Sequence, residues 1–428
     1  MENPKDAILE EEYENEPVPL EKRKSLLSVS FVWIGFPMII TSAVTGAAIV
    51  AALGFLKGLS AILIGNLILF AYVGMLGVLS TKKGYNFGLQ AAVTFGKKGS
   101  ILVSGLLSTL VIGWFAVQVG LTGSSMHEAF GSNLIAVTLL AGVLYILITL
   151  FGVKALTLIG AVSAPFFVIL GLWAVSDAVK NAGWSSIVNY SGDGSIAFGV
   201  AVTMVVALFI DSGTMAGDFN RWSKNTKESI LATFSAFPCA NLIAMLFGGI
   251  ITAASVENGN ADFFQYIAAK GGFLSTVAVL LLFLNLGSVC SHCLYNGAVG
   301  WSTLLNKKMR SLAIILGIFG VIIAISGAWN YFPNWLTILG VIVPPIGAII
   351  IIDQFFIRKH AGFENTIRIQ PFIAWAIGSF ISFLLEFYAP FLSTAVVGMI
   401  TAAIAYAFLS SVGQRQYQSF DEKIKRAQ

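Results

Sequence analysis

Charge is the scarcest ingredient of this sequence. Of 428 residues, only 11% are Asp, Glu, Lys or Arg, and 3 are histidine. A soluble domain carries roughly 25% charged residues. With 57% hydrophobic residues and a mean hydropathy of +0.85, the chain has too little polar surface to coat a water-soluble globule. The same shortage excludes a disordered chain and a basic nucleic-acid-binding surface. Cysteine is nearly as rare. Cys239, Cys290 and Cys293 all fall in apolar runs, so no extracellular disulfide framework is expected. Cys290-Ser291-His292-Cys293 has the outline of a ligand cluster. Zinc wants four ligands, however, and small residues in membrane helices more often serve packing. A phosphate-binding Gly-rich loop and any long polar stretch are also missing from the sequence, which argues against an ATP-driven pump or a receptor with a soluble domain.

What is present is apolar sequence in runs. A bilayer core of roughly 30 Å takes about 20 apolar residues per helix. Twelve runs are read, at about 27–54, 57–80, 100–124, 133–151, 155–178, 196–217, 228–254, 273–299, 311–328, 333–355, 370–387 and 390–411. They are continuous rather than alternating, which favours helices over a barrel. The expected class is an all-α polytopic membrane protein of twelve transmembrane helices. Residues 1–26 form an N-terminal arm, 27–355 a transport core, 370–411 two additional helices and 412–428 a tail. The first twenty residues hold many acids and no apolar core of a signal peptide, so no cleavage is expected.

The basic residues sort by side. With twelve spans, every Lys and Arg except Lys57, Lys180 and Lys270 falls on one side of the membrane. The positive-inside bias places that side, and both termini, in the cytoplasm. Short loops and the lack of a transit peptide favour a bacterial inner membrane.

Ionisable residues inside the runs are the next signal, because a carboxylate at a span centre costs about 2.5–3.5 kcal/mol on insertion scales. Asp177, Asp218, Asp353 and Glu386 lie near span ends and are expected to reach the interface. Asp211 follows the run Val200–Ile210 and cannot, and His292 sits mid-run. Each could also be a satisfied buried polar group. Asp211 lies beside Gly213, a helix interruption, and the first run carries Gly35-Phe36-Pro37. Proline removes a backbone donor and clashes with the preceding turn. Interruptions at equivalent places in two halves point to a transporter site at mid-membrane. Spans 1 and 6 then correspond, giving a five-plus-five inverted repeat over about 27–178 and 196–355. Trp114 and Gln118, at i and i+4, share a helix face, and Phe209 precedes Asp211. Aromatic faces with polar groups at the edge would hold a flat ring.

These residues resemble the nucleobase–cation symporter family, in its purine–cytosine permease branch. The resemblance rests on Gly113-Trp114-Phe115, on Phe209-Ile210-Asp211-Ser212-Gly213-Thr214 with Asp218-Phe219-Asn220-Arg221, and on Ile64-Gly65-Asn66. Phe151-Gly152-Val153 with Ala155-Leu156-Thr157, and Pro344-Pro345-Ile346-Gly347, add to it. It implies rocking alternating access and co-transport of a small nitrogen heterocycle with Na+ or H+. It further implies that Trp114 and Phe209 stack on the substrate, and that Gln118, Asp211, Ser212 and Asn285 are polar contacts. Gly35, Met38, Asn285 and Ser288 would form a sodium site. Two departures stand out. The cytosine permeases have serine where this chain has Asp211, and the sodium site's pair of adjacent hydroxyl residues here reads Ser288-Val289. Asp211 and His292 are therefore candidates for a proton pathway, and the proton is favoured over sodium by a small margin. An amine or amino-acid carrier, with Asp211 pairing the substrate ammonium, is the rival. The chain is not expected to be an enzyme or to hold a cofactor. Its partners are a heterocyclic substrate and lipid, and nothing in it calls for an oligomer.

Overall fold

A computed structural model describes residues 11–255 and 263–427. Residues 1–10 of the expected N-terminal arm lie outside the described residues. The described chain is helical almost throughout, and the twenty α-helices follow in order. They are α1 (Leu26–Gly35), α2 (Ile40–Leu53), α3 (Phe55–Lys83), α4 (Phe87–Phe95), α5 (Lys97–Phe130), α6 (Leu134–Thr149) and α7 (Val153–Ala182). Next come α8 (Trp184–Val188), α9 (Phe198–Ala207), α10 (Ile210–Thr214), α11 (Gly217–Asn220), α12 (Thr226–Phe234), α13 (Leu242–Ala254) and α14 (Phe263–Ala268). The last six are α15 (Gly272–Leu305), α16 (Met309–Ile325), α17 (Phe332–Ile342), α18 (Pro344–Ile352), α19 (Ile369–Tyr388) and α20 (Thr394–Ala427).

Among the described residues, eight helices are long and apolar enough to cross a membrane, counting α12 with α13 and α17 with α18 as continuous spans. The pair α1 and α2, bent by 54°, makes a ninth. The apolar helices α6, α9 and α16 are shorter, at 10–17 residues. Large apolar side chains face outward along the long helices, including Leu158, Ile169 and Leu172 on α7 and Ile315, Phe319 and Ile322 on α16. In water such surface would be an aggregation liability; against lipid it is the expected solvent contact. The protein is an integral membrane protein.

Helix ends follow local chemistry. Asn86, Asn133 and Asn225 cap α4, α6 and α12 by accepting the amide of the third residue on. Gly84 and Gly131 close α3 and α5 in the left-handed conformation that glycine adopts without strain. Pro238 lies in a π-helical turn between α12 and α13, where the looser ladder tolerates a missing donor.

Packing sorts the helices into groups. α1–α3 pack with α9–α13, and α5, α6, α15 and α16 form a second group, with α7 touching both. α18, α19 and α20 pack together on the flank of α3 and α9. Small residues let backbones approach within the first group and between it and α7. A Cβ on Gly35 would run into the Gly160 backbone of α7, and one on Gly248 of α13 into Ala43 of α2.

Candidate functional site

The first span breaks where its sequence predicts. α1 ends at Gly35, Ile39 is extended (φ −133°, ψ 159°), and α2 starts at Ile40. A break inside a membrane leaves backbone groups that water cannot satisfy. Here Asn285 of α15 supplies the partners. Its Oδ1 accepts from Ile40 N at 2.7 Å, and its Nδ2 donates to Met38 O at 2.8 Å and to Ser163 Oγ at 3.2 Å. One turn on, Ser288 Oγ donates to Gly35 O at 2.7 Å. His292, a further turn along, has Nδ1 2.6 Å from Ser288 O and Nε2 2.8 Å from Val32 O, and its ring stacks on Phe36 at 5.2 Å. Gly35, Met38, Asn285 and Ser288 thus gather in one place, as the sodium-site expectation requires. The two carbonyls are hydrogen-bonded by the α15 side chains.

The sixth span breaks at a different point from the one expected. Gly213 lies inside α10, and the interruption is at Leu208–Phe209, with Phe209 at φ −131°, ψ 9°. Asp211 therefore sits on the first turn after the break rather than before it. Its Oδ1 accepts from Ser212 N at 2.7 Å. Asp211 Oδ2, Ser212 Oγ and Trp114 Nε1 are buried and form no hydrogen bond of good geometry among the described residues, and the Trp114 indole N–H faces the Asp211 carboxyl. An unsatisfied buried polar group costs about 1–3 kcal/mol, so polar atoms gathered at one place mark where water or a ligand would be held.

They border one small cavity of about 10 Å³, room for about one water molecule. Trp114 and Gln118 of α5, Phe209, Asp211 and Ser212 of the sixth span, Phe36 of the first break and Cys293 of α15 line it. Gln118 Oε1 accepts from Thr41 Oγ1 at 2.7 Å, and Phe209 meets Phe36 edge-on at 5.1 Å. The structure brings together five of the expected substrate residues: Trp114, Gln118, Phe209, Asp211 and Ser212. Asn285 and His292 lie off the wall and hold the first break instead. Phe36, Thr41 and Cys293 were not singled out as contacts. Phe36 carried a signal, as the middle of Gly35-Phe36-Pro37; Thr41 and Cys293 carried none. Larger cavities, of about 490 Å³ beside α16 and about 600 Å³ beside α6 and α7, are lined almost wholly by apolar side chains on the lipid-facing surface.

Two other acids depart from expectation. Asp218 and Asp353, read as lying near span ends, are fully buried by protein. Asp218 Oδ1 accepts from Phe87 N at 2.9 Å. Asp353 pairs with Arg358 at 2.9 Å and Arg368 at 3.4 Å and accepts from Tyr406. A paired, hydrogen-bonded charge can stay buried where an isolated one would not. Glu12, read as part of a surface arm, is 2% exposed. Burial pushes its carboxyl above the ordinary value, against the opposing pull of the Tyr295 hydroxyl and of Arg221.

Two interrupted spans beside a cavity of polar and aromatic side chains are the architecture of a membrane transporter. The family described as permease for cytosine/purines, uracil, thiamine and allantoin matches residues 17–372. The chain belongs to that permease family. It is 32% identical over 355 residues to the cytosine permease of Escherichia coli, covering 83% of each chain. Among solved structures it is similar to Mhp1, a nucleobase-cation-symport-1 family transporter in a closed conformation with bromovinylhydantoin bound. That match has a TM-score of 0.80 at 18% identity and covers 92% of this chain and 93% of the other. A Na+-coupled sialic acid symporter, substrate-bound and outward-open, matches at a TM-score of 0.70 and 12% identity, covering 95% and 93%.

Proposed function

We propose that the protein imports a small planar nitrogen heterocycle, a nucleobase or a related pyrimidine, purine or vitamin precursor, by cation symport with alternating access. The observation that carries this reading is the cavity itself. Three aromatic rings, Trp114, Phe209 and Phe36, surround the polar edge groups of Gln118, Asp211 and Ser212. Aromatic walls favour a flat ring, and the carboxylate oxygen and hydroxyl suit the N–H and ring-nitrogen edges of a heterocycle. The near-filled cavity fits a closed state, with access from either side requiring the two helix groups to separate. Twelve spans, with the broken pairs α1–α2 and α9–α10 as matching elements of a five-plus-five inverted repeat, accommodate that motion. The membrane is a bacterial inner membrane, both termini are cytoplasmic and the monomer is the working unit.

The coupling ion is a proton, carried by Asp211 with His292 as partner. Asp211 is the acid of the cavity, and its Oδ2 is positioned to exchange a proton with a substrate edge. Sodium is the second reading. It is favoured by the meeting of Gly35 O, Met38 O, Asn285 and Ser288 at the first break. An amine or amino-acid carrier remains the rival for the substrate, with Asp211 against an ammonium.

A thermal-shift screen of the purified protein separates these readings, because a ligand that binds only the folded carrier raises its Tm. Nucleobases and heterocyclic pyrimidines should stabilise it, and straight-chain amines should not. The screen is repeated without Na+ and at two pH values. Stabilisation by amines alone would sink the heterocycle reading, and strict Na+ dependence with no pH response would sink the proton.

A further inference from the structure

Residues 12–24 cross the face of the molecule that bears the N-terminus, and they are bonded to it at every turn. Glu12 Oε2 accepts from Tyr295 OH at 2.8 Å and Oε1 from Val153 N at 3.2 Å. Arg221, fully buried, donates to the Glu12 carbonyl at 2.8 Å and the Tyr13 carbonyl at 2.7 Å. The Glu14 carbonyl accepts from Asn86 Nδ2 at 2.6 Å and Thr303 Oγ1 at 2.8 Å, and its carboxylate accepts from Met309 N at 2.9 Å. Val18 N donates to Gly84 O, Arg23 to Thr81 O and Ser223 O, and Lys24 N to Trp222 O. This strap ties α7, α15 and α16 to the α3–α4 turn and the α11–α12 loop. An arm that merely lay on the surface would leave its acids in water; this one buries a carboxylate and meets a guanidinium.

Between the strap and the cavity the core is closed by packed rings. A column of touching rings runs from cavity to strap: Phe209 to Phe36 at 5.1 Å, Phe36 to Phe219 at 6.1 Å, Phe219 to Tyr295 at 6.0 Å. Tyr295 then bonds Glu12. Beside the column are buried polar atoms with no partner among the described residues: both amide atoms of Asn296, Ser108 Oγ and Asp218 Oδ2. α5 and α15 run antiparallel, with Cys290 at Phe115 and Gly300 at Ser108. Asn296 and Ser108 therefore lie on the strap side of Cys293 and Trp114. Tightly packed cores do not retain this many unpaired polar atoms without cause. Groups that face water or substrate in an open state, and one another when it closes, would.

We propose that residues 12–24 are the gate of the transport route on the N-terminal face, with Glu12, Arg221 and Tyr295 as its gate residues. Docked, the strap holds the two helix groups together and closes the route past Asn296, Ser108 and Asp218. The cavity opens to this face only after Glu12 leaves Tyr295 and Arg221. The inference rests on reading the cavity as the transport site, and its test needs no substrate.

The native Cys293 in the cavity wall is the reporter, in a background carrying Cys239→Ser and Cys290→Ala. Sealed vesicles of each orientation are treated with a membrane-impermeant maleimide, and the Cys293 peptide is followed by mass spectrometry. Glu12→Ala should raise labelling from the N-terminal face at least fivefold and leave labelling from the opposite face unchanged. A second variant pair, Glu14→Cys with Thr303→Cys, joins the strap to α15. Oxidation should suppress labelling from the N-terminal face, and a reductant should restore it, which a misfolded protein could not do. Unchanged labelling in both experiments overturns the gate. An equal rise from both faces in Glu12→Ala also overturns it, since that marks general loosening. Strap effects that appear in vesicles of the other orientation leave the gate standing and reverse the assigned topology. Failure of the heterocycle reading would show only in the ligand screen.

Discussion

At the residue scale, what matters is whether a buried polar atom has a partner. Asn285 has all of its amide atoms committed to the first break and to Ser163, so its role is to replace backbone partners that the interruption removes. Asn285→Ala removes the side-chain partners of the buried Ile40 N and Met38 O. A loss of about 1–3 kcal/mol per orphaned group follows, read as a lower Tm in detergent. Asp211 is the opposite case, because its Oδ2 faces the cavity and the Trp114 indole without a hydrogen bond of good geometry. Asp211→Asn keeps the shape and removes the exchangeable proton. Under the proton reading it abolishes accumulation driven by an imposed pH gradient in vesicles while ligand-induced stabilisation survives; accumulation that persists in the variant would remove Asp211 from the coupling.

At the scale of elements, the contact between α1 and α7 is set by glycine. Gly35 and Gly160 meet backbone to backbone, and a methyl at Gly160 would collide with the Phe31 carbonyl. Gly160→Ala should therefore displace α1, which carries the first break, and uptake should fall further than stability does. Parallel uptake and Tm measurements check this. The strap makes a pH prediction. Burial raises the Glu12 carboxyl above its ordinary value of 4.5 when docked. A raised pKa means that the docked state binds the proton more tightly, so docking is strongest below the ordinary value and weakens as pH rises through the raised one. The charged and titratable groups facing Glu12 are Arg221, Tyr295 of α15 and Arg310 of α16, and the pull of the two arginines limits the rise without reversing it. Labelling of Cys293 from the N-terminal face should increase with pH across that window. Glu12→Gln should flatten the dependence.

At the scale of the whole molecule, three buried acids, Glu12, Asp218 and Asp353, each accept a hydrogen bond from a residue distant in sequence, and Asp211 lines the cavity. Asp353 holds Arg358 and Arg368 near the end of the flank formed by α18, α19 and α20. Asp353→Ala removes the buried carboxylate between Arg358 and Arg368, which keep Glu364 and the Thr94 carbonyl as partners; a loss of about 1–3 kcal/mol follows, visible as a lower Tm with ligand affinity unchanged. How much of this was legible depended on range. Apolar runs and Pro37 act through neighbours in the chain, so the helices and the first break could be read directly. The Trp114–Gln118 face followed from helix period alone. The second break was misplaced at Gly213 because glycine is permissive rather than obligatory there, and nothing local marks Leu208–Phe209.

The scarcity of charge, with the continuity of the apolar runs, by itself determined that this chain lives in lipid as a bundle of helices with an acid at its centre. Those properties are sums over neighbours and a solvent, and they need no knowledge of which helix meets which. Tertiary structure alone decided which acids could be buried. Glu12, Asp218 and Asp353 look like surface residues until helices distant in sequence bring Tyr295, the Phe87 amide and Arg358 to them. A partner within hydrogen-bond distance offsets desolvation, and only packing supplies the partner. At Asp211 packing brings only the Trp114 indole and the Ser212 amide, and the carboxyl is left on the cavity wall.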